Sequence, residues 1–211
     1  ACYFVKFNSD GFRQWASYLN AYILECAIDN ADNLYLAGDC GTIIASTITT
    51  GAHQTTFGGG NGGDGYLAKF SSSGSILWAT FYGGSRTDRV NSVSTDISGN
   101  VFISGLTSSK NNISYNGFQD TLTECICVAN TRDTVDAFLV KFNSAGVRQW
   151  GTYFGGENDE DFPSSCATDK IGNVYFSTRI ASNLNFSFNG HQSYKTSYAY
   201  VPLFVKFNSA G

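Results

Sequence analysis

The stretch that decides the fold is Asp136-Ala137-Phe138-Leu139-Val140-Lys141-Phe142-Asn143-Ser144-Ala145-Gly146. Its alternation places Phe138, Val140 and Phe142 on one face of a β-strand and Lys141 on the other. The strand ends in a turn, where Gly146 supplies the positive φ of a tight hairpin. The returning strand carries Trp150.

The same strand and turn recur along the chain. The lysine recurs at spacings of 63, 72 and 65 residues, as Lys6, Lys69, Lys141 and Lys206. The distance from each of the first three lysines to the next tryptophan is 9 residues. We therefore expect one structural position, largely buried between neighbouring units, for Trp15, Trp78 and Trp150. A third repeated signal, an aspartate four residues before an asparagine, lies at Asp29–Asn33, Asp96–Asn100 and Asp169–Asn173.

Each unit is predicted to form four short strands, and no stretch has the 3.6-residue apolar period of a helix. A four-stranded antiparallel unit cannot bury both of its faces alone, whereas radial stacking covers each unit with its neighbour. We therefore predict an all-β protein, a β-propeller built from four-stranded antiparallel blades, with about three blades' worth of chain.

These residues resemble the SBBP β-propeller repeat family. The resemblance rests on residues 136–146, on Trp150 to Gly156, on Thr168 to Tyr175 and on the linker 51–59. It implies a propeller of the seven-bladed type in a large secreted or surface bacterial protein, often of the Bacteroidetes kind. It implies no catalytic residues.

Similarity to the NHL-type propeller pattern assigns the aspartate-turn hairpin to the two inner strands and the lysine–tryptophan hairpin to the two outer ones. Residues 1–211 are then part of one propeller domain, with a partial blade 1–20, blades 21–83 and 88–156, and a partial blade 161–211. Cys26, Val93 and Cys166 share an inner-strand position in this phase, and both cysteines are predicted to be buried thiols.

The two ends of the chain carry the same sequence. Residues 204–211 nearly copy residues 4–11 and stop within a turn. We interpret the chain as a window from a longer array, with the other blades supplied by more chain or by other copies. Alone, residues 1–211 are expected to aggregate or oligomerise, because their open strand edges and apolar faces invite pairing. A longer chain that completes the ring is expected to stay monomeric.

Composition excludes several classes of partner. Charged residues make up 14% of the chain, against about 25% in an average domain. The net charge of −4 and the lack of a Lys/Arg run argue against nucleic acid. No apolar stretch approaches the roughly 18 residues of a membrane span, which argues against membrane insertion.

The segments between the inner and outer hairpins, roughly 39–63, 106–135 and 179–199, differ most in length. Binding often concentrates in such loops on a rigid scaffold, and the alternative is an extra edge strand or cover. Within them, His53 and His191 align with Phe118, so we expect the imidazoles to pack as flat rings. The matched Gln54, Gln119 and Gln192 are expected to bond to loop backbone.

Two other groups of residues leave alternatives open. The acidic run Glu157–Asp161 either cups one calcium ion or is a solvated loop; a repeated metal site is excluded because the matching loop 85–89 has one carboxylate. The cysteines contain no Cys-x-x-Cys pattern. Disulfide partners are plausible, with the pairing undetermined, among Cys2, Cys40, Cys125 and Cys127.

We predict no catalytic, cofactor-binding or metal-binding residue and no cofactor. The expected function is a non-enzymatic structural, adhesive or binding module, extracellular or at the cell surface, that meets a glycan or surface protein through its long loops. One alternative is a carbohydrate-active lyase or hydrolase on a propeller scaffold, with a catalytic cluster at the mouth of the ring. Another is a self-assembling extracellular fibre subunit.

Overall fold

The computed structural model describes residues 2–41, 47–60, 62–123, 134–156, 162–180, 188–191 and 201–211, with 162–164 given by their backbone alone. The strands are β1 Cys2–Phe7, β2 Arg13–Leu19, β3 Tyr22–Ile28, β4 Leu34–Cys40, β5 Asp64–Phe70, β6 Ile76–Tyr82, β7 Asp88–Thr95, β8 Val101–Thr107, β9 Asp136–Phe142, β10 Arg148–Phe154, β11 Phe162–Thr168, β12 Val174–Ile180 and β13 Val201–Phe207. These ranges contain no α-helix.

The strands form four antiparallel sheets. Two are four-stranded, β3-β4-β5-β6 and β7-β8-β9-β10; a two-stranded sheet, β1-β2, precedes them and a three-stranded sheet, β11-β12-β13, follows them. The predicted all-β architecture of four-stranded antiparallel sheets is therefore confirmed, and it is that of a partial β-propeller. The grouping of the sheets into one ring, with the blade limits given above, stays a prediction.

Aspartate fixes the turn between the first two strands of a sheet. The Asp96 carboxylate accepts hydrogen bonds from the backbone N–H groups of Ser98 and Asn100, both at 2.9 Å, and from the Asn100 side chain at 2.7 Å. Asp29 and Asp169 bond in the same way to Asn33 and Asn173. The repeated aspartate–asparagine signal is thus a turn device, because a short carboxylate satisfies the backbone donors of a tight turn.

The core lies between the sheets. Leu67, Trp78 and Tyr82 of the β3–β6 sheet pack in one cluster with Phe138 and Phe142 of the β7–β10 sheet. Equivalent clusters lie on either side, one holding Phe4 with Phe70 and the other holding Trp150 with Phe176. Successive side chains along a strand therefore pack into the clusters on opposite faces of its sheet, as expected for a sheet that is covered on both faces.

The inner strands β3, β7 and β11 lie side by side. The Ser92 hydroxyl accepts a hydrogen bond from the Cys166 N–H at 3.0 Å, and the Glu25 carboxylate accepts one from the Val93 N–H at 2.7 Å. Cys166 is buried, as predicted, but the prediction for Cys26 is wrong because its side chain is exposed. The preceding β1–β2 sheet has no inner strand in the described residues, so nothing there covers Cys26.

Burial of the tryptophans also depends on how many strands lie around them. Trp78 and Trp150 are 9% and 3% exposed, which confirms their expected position between sheets. Trp15 is only half-buried, so the prediction is wrong for this residue. Trp15 lies in the two-stranded β1–β2 sheet, which covers less of the indole ring than a four-stranded sheet does.

Candidate functional site: sheet junctions and outer rim

One arrangement, here called the Lys–Trp junction, joins each sheet to the next. The Trp78 Nε1–H donates to the Ser144 carbonyl oxygen at 3.1 Å, and Lys69 Nζ donates to the same oxygen at 3.3 Å. The indole lies against Gly146, where a Cβ atom would come within 3.0 Å of the ring. The same contacts recur for Lys6, Trp15, Ser72 and Gly74, and for Lys141, Trp150, Ser209 and Gly211.

The middle Lys–Trp junction also contains a buried ion pair. Lys69 Nζ lies 3.1 Å from Asp29 Oδ2 and 5.0 Å from the centroid of the Tyr35 ring. Burial tends to raise the pKa of Asp29, but hydrogen bonds from Asn33 and Lys69 outweigh it and lower that pKa. Burial and the Asp29 charge both raise the pKa of Tyr35. The lysine thus connects its own sheet's aspartate turn to the next sheet's hairpin turn.

Two long segments cover the outer strands. Phe81 N–H donates to the Gln54 carbonyl at 3.1 Å, and the equivalent Tyr153 N–H donates to the Gln119 carbonyl at 3.1 Å. Tyr115 forms a β-bridge with Gly151 of β10. Residues 47–57 and 113–121 therefore cover the edge of the outer strands; we call them the rim segments.

Matched glutamines hold the rim segments. Gln119 accepts a hydrogen bond from Gly155 N–H at 3.2 Å and donates to the Thr121 carbonyl at 2.9 Å. Gln54 makes the equivalent bonds, at 3.0 Å each, with Gly83 and Thr56. The prediction that these glutamines bond to loop backbone is confirmed. Each also donates to a buried carboxylate, Asp64 or Asp136.

A comparison with known families matches the centre of this arrangement. Residues 77–113 match the family model described as SBBP, a beta-propeller repeat. The chain contains an SBBP β-propeller repeat. The match runs from β6 through the β7–β8 hairpin to the start of the second rim segment. No curated protein matches the chain.

One aromatic slot is present at both rim segments. His53 stacks on Tyr82 with a centroid distance of 5.9 Å and meets Phe142 edge-on at 5.5 Å. Phe118 contacts the equivalent rings of the next sheet, Phe154 and Phe207, each at 6.3 Å. Burial and the Arg148 charge lower the pKa of His53 to about 4. The expected packing role is confirmed for His53, and His191 is exposed.

Two carboxylates are fully buried between β5 and β7. Asp64 and Asp88 both border Gly83, where a Cβ atom would lie 3.0 Å from Asp64 Cγ and 2.6 Å from Asp88 Oδ2. Asp88 accepts hydrogen bonds from Gly84 N–H and Ser109 Oγ, both at 2.8 Å, and from the Thr107 hydroxyl. Asp64 Oδ2 accepts Gly58 N–H at 2.6 Å, whereas its Oδ1 has no partner among the described residues.

Burial raises the pKa of both Asp64 and Asp88 to about 6. The charge of Asp88 raises the pKa of Asp64 further. At the preceding junction the position equivalent to Asp88 holds the buried apolar residue Ala21. The carboxylate at position 88 therefore accompanies the longer connection between β6 and β7, which it ties to the Thr107–Ser109 segment.

Several predicted features lie outside the described residues: the acidic run Glu157–Asp161, Cys125, Cys127 and Gln192. Cys2 and Cys40 are free thiols. In the described part of the chain, no three His, Cys, Asp or Glu side chains are grouped as metal ligands. A search of the same residues finds no helix with the length and apolar character of a membrane span.

Sequence reasoning missed the shared carbonyl of the Lys–Trp junction and the buried Asp64–Asp88 pair. The sequence does contain a signal for the shared carbonyl, because each repeated lysine is followed three residues later by a serine: Ser9, Ser72, Ser144 and Ser209. The pair has no comparable signal, since Asp64 and Asp88 belong to different sheets.

Proposed function

We propose that this SBBP chain is a non-enzymatic structural module of a secreted or cell-surface protein, and that it binds partners through its rim segments. The repeated polar side chains form their hydrogen bonds within turns, sheet junctions and strand edges, as shown by Lys69, Asp29 and Gln54. They act in holding the scaffold. We therefore assign partner binding to residues that differ between equivalent positions of the two rim segments.

One observation carries this proposal: the residue that pairs with the outer strand is Thr49 in the first rim segment and Tyr115 in the second. Tyr115 is exposed, and the Arg148 guanidinium lies 5.0 Å from its ring centroid. Arg148 Nη1 donates to the Asn112 carbonyl at 2.9 Å, which fixes it beside the ring. Tyrosine and arginine are among the residues most enriched at the energetic centres of protein interfaces, so a protein surface is the favoured partner.

The experiment is to screen the immobilised chain against panels of extracellular proteins and of glycans, with wild type, Tyr115→Ala and Thr49→Ala side by side. We expect a protein ligand whose binding weakens at least tenfold in Tyr115→Ala and stays near wild type in Thr49→Ala. Binding of a glycan with the same dependence would move the partner class to carbohydrate. Turnover of a polysaccharide by the purified chain would contradict the non-enzymatic function.

A further inference from the structure

An arginine lies where the two four-stranded sheets and both rim segments meet. Arg148 begins β10, and its Nη1 donates to the carbonyl oxygens of Asn112 and Ile113 at 2.9 Å and 3.4 Å. Across the junction lies His53 of the first rim segment, whose pKa is lowered by burial and by the charge of Arg148. The guanidinium is therefore placed between the two rim segments, and backbone carbonyl groups hold it there.

The polar neighbours of this guanidinium are neutral. Besides the two carbonyl oxygens, the Tyr82 hydroxyl is a side-chain partner of Arg148. Within the described part of the chain, no carboxylate forms an ion pair with Arg148. Asp120, the acidic residue of the second rim segment, accepts a hydrogen bond from Ser114 Oγ at 2.6 Å instead. A half-buried arginine is thus left without a counter-ion among these residues.

Arg148 also has hydrogen-bond donors left for a ligand. A guanidinium carries five N–H donors in a planar fork, and this fork matches the two oxygens of a carboxylate. The neutral partners engage Nη1 and the group that faces Tyr82. The remaining N–H groups have no acceptor in the residues that the structure describes, so they are available for a charge-assisted bond to an incoming carboxylate.

The ring of Tyr115 lies beside this cation and faces solvent. Arg148 Cζ lies 5.0 Å from the ring centroid, and Tyr115 is 47% exposed. The backbone of Tyr115 is fixed in turn by two hydrogen bonds with Gly151 of β10, at 2.8 Å and 2.9 Å. The two side chains therefore form a preorganised pair, a flat ring and a cation, and preorganisation reduces the entropy cost of binding.

The equivalent place on the β3–β6 sheet carries neither group. Ile76 occupies the position of Arg148 at the start of the outer strand, and Thr49 occupies the position of Tyr115 in the rim segment. The first rim segment nevertheless pairs with its outer strand as the second one does. The fold therefore does not need a cation at this position, and an arginine that the scaffold does not need is a candidate for recognition.

We propose that the Arg148–Tyr115 pair binds a carboxylate side chain from an acidic segment of a partner protein. This inference rests on the proposed function, in which the rim segments bind a protein, and it names the chemical group that they recognise. The carboxylate accepts hydrogen bonds from the remaining N–H groups of Arg148, and the carbon atoms of the acidic side chain pack on the Tyr115 ring. The net charge of −4 on the chain does not prevent this contact, because exposed charges more than about 10 Å apart are largely screened at moderate salt.

The test uses acetylated hexaglutamate as the probe and hexaglutamine as its neutral control, added to the isotope-labelled chain at pH 7.5. We expect hexaglutamate alone to shift the Arg148 Nε–H signal in the nitrogen–proton NMR spectrum. Arg148→Gln should weaken hexaglutamate binding at least tenfold, and Arg148→Lys, which keeps the charge but not the fork, should weaken it less. Lys170→Gln removes the same charge from an exposed turn and should have no effect. Cooperative urea unfolding of each variant verifies that it is folded.

Three outcomes would overturn the carboxylate site. The first is an Arg148 signal that hexaglutamate leaves unmoved, and the second is equal binding of hexaglutamate by Arg148→Gln and Lys170→Gln. The third is oligogalacturonate, a glycan with carboxylates, binding at Arg148 while hexaglutamate does not, which would overturn the protein partner.

The carboxylate site and rim binding fail separately. A protein from the ligand screen that depends on Tyr115 but not on Arg148 would leave rim binding intact and overturn the carboxylate site. Hexaglutamate binding at Arg148 with no protein found in the screen would support the carboxylate site while the proposed function fails.

Discussion

The indole Nε1 of Trp78 donates to the carbonyl oxygen of Ser144 across the boundary between two four-stranded sheets, at 3.1 Å. The ring packs on Gly146, a residue with φ of +81°, so that backbone rather than side chain forms the seat of the indole. A side chain at position 146 would be strained by that φ and would collide with the ring. The hydrogen bond orients the indole and the apolar contact supplies most of the stabilisation.

Trp78→Ala should therefore lower the free energy of unfolding by about 3–5 kcal/mol, the usual cost of emptying a buried aromatic site. Urea denaturation followed by intrinsic fluorescence measures the change. Trp15→Ala is the matched control, because the same contacts are made by a half-buried ring, and its loss should be clearly smaller. Equal losses at both positions would mean that burial does not set the strength of the junction.

Removing one partner of the Lys69–Asp29 pair should destabilise the protein strongly. Lys69→Met leaves the buried Asp29 carboxylate without its cation, at a cost of about 3–5 kcal/mol. The double variant Lys69→Met with Asp29→Asn should recover part of that loss, because no buried charge remains. Urea denaturation of wild type, Lys69→Met, Asp29→Asn and the double variant gives the coupling energy. Lys6→Met tests an equivalent lysine for which no ion pair is present among the described residues, and it should cost less.

His53→Phe should be tolerated at neutral pH and beneficial in acid. Phe118 already occupies the equivalent slot, so the change should cost less than about 1.5 kcal/mol at pH 7.5. Because the folded pKa of His53 is about 4, below its usual 6.5, the folded state binds fewer protons. Its contribution to stability is present above pH 6.5 and is lost as pH falls towards 4.

Unfolding of wild type and His53→Phe at pH 7.5 and pH 4.5 checks this expectation, and the variant should lose less stability on acidification. The reciprocal variant Phe118→His should acquire little acid sensitivity, because the side chain at position 118 is exposed and burial is the main cause of the lowered pKa of His53. If His53→Phe follows the wild-type pH profile throughout, the imidazole is not the group that responds.

Asp64→Asn should stabilise the protein near neutral pH. The folded pKa of Asp64, about 6, lies above the ordinary 3.8. Its stabilising contribution is therefore complete below pH 3.8 and is lost as pH rises through 6. An asparagine can keep the bond from Gly58 while carrying no charge. We expect the variant to be more stable than wild type at pH 7.5 and about equal to it at pH 3.5.

Asp88→Asn is the control for this prediction. Both Asp88 oxygens accept hydrogen bonds, from Gly84, Ser109 and Thr107, so an amide N–H₂ would face a donor. This variant should lose stability at pH 7.5 although it removes the same charge. A gain in both variants would show that charge, not hydrogen bonding, dominates at this site.

The repeated spacings predict much of the fold because they reflect local geometry. A strand that alternates through Phe138, Val140 and Phe142, followed by a glycine turn, has few conformations open to it, and the structure has that hairpin. The slot shared by His53 and Phe118 was predictable for the same reason, since two aligned positions revealed what the site accepts. Cys26 and Trp15 were mispredicted because equivalent positions in a repeat are equally buried only when every sheet has the same neighbours.

The sequence by itself determined the strands, their turns and the use of Trp15, Trp78 and Trp150 at one register, because periodicity and turn chemistry act over a few residues. The tertiary structure alone decided which atoms meet across sheets: the Ser144 carbonyl shared by Lys69 and Trp78, and the two carboxylates beside Gly83. These partners are separated along the chain by tens of residues, and only the packing of one sheet on the next brings them within hydrogen-bonding or Coulomb distance.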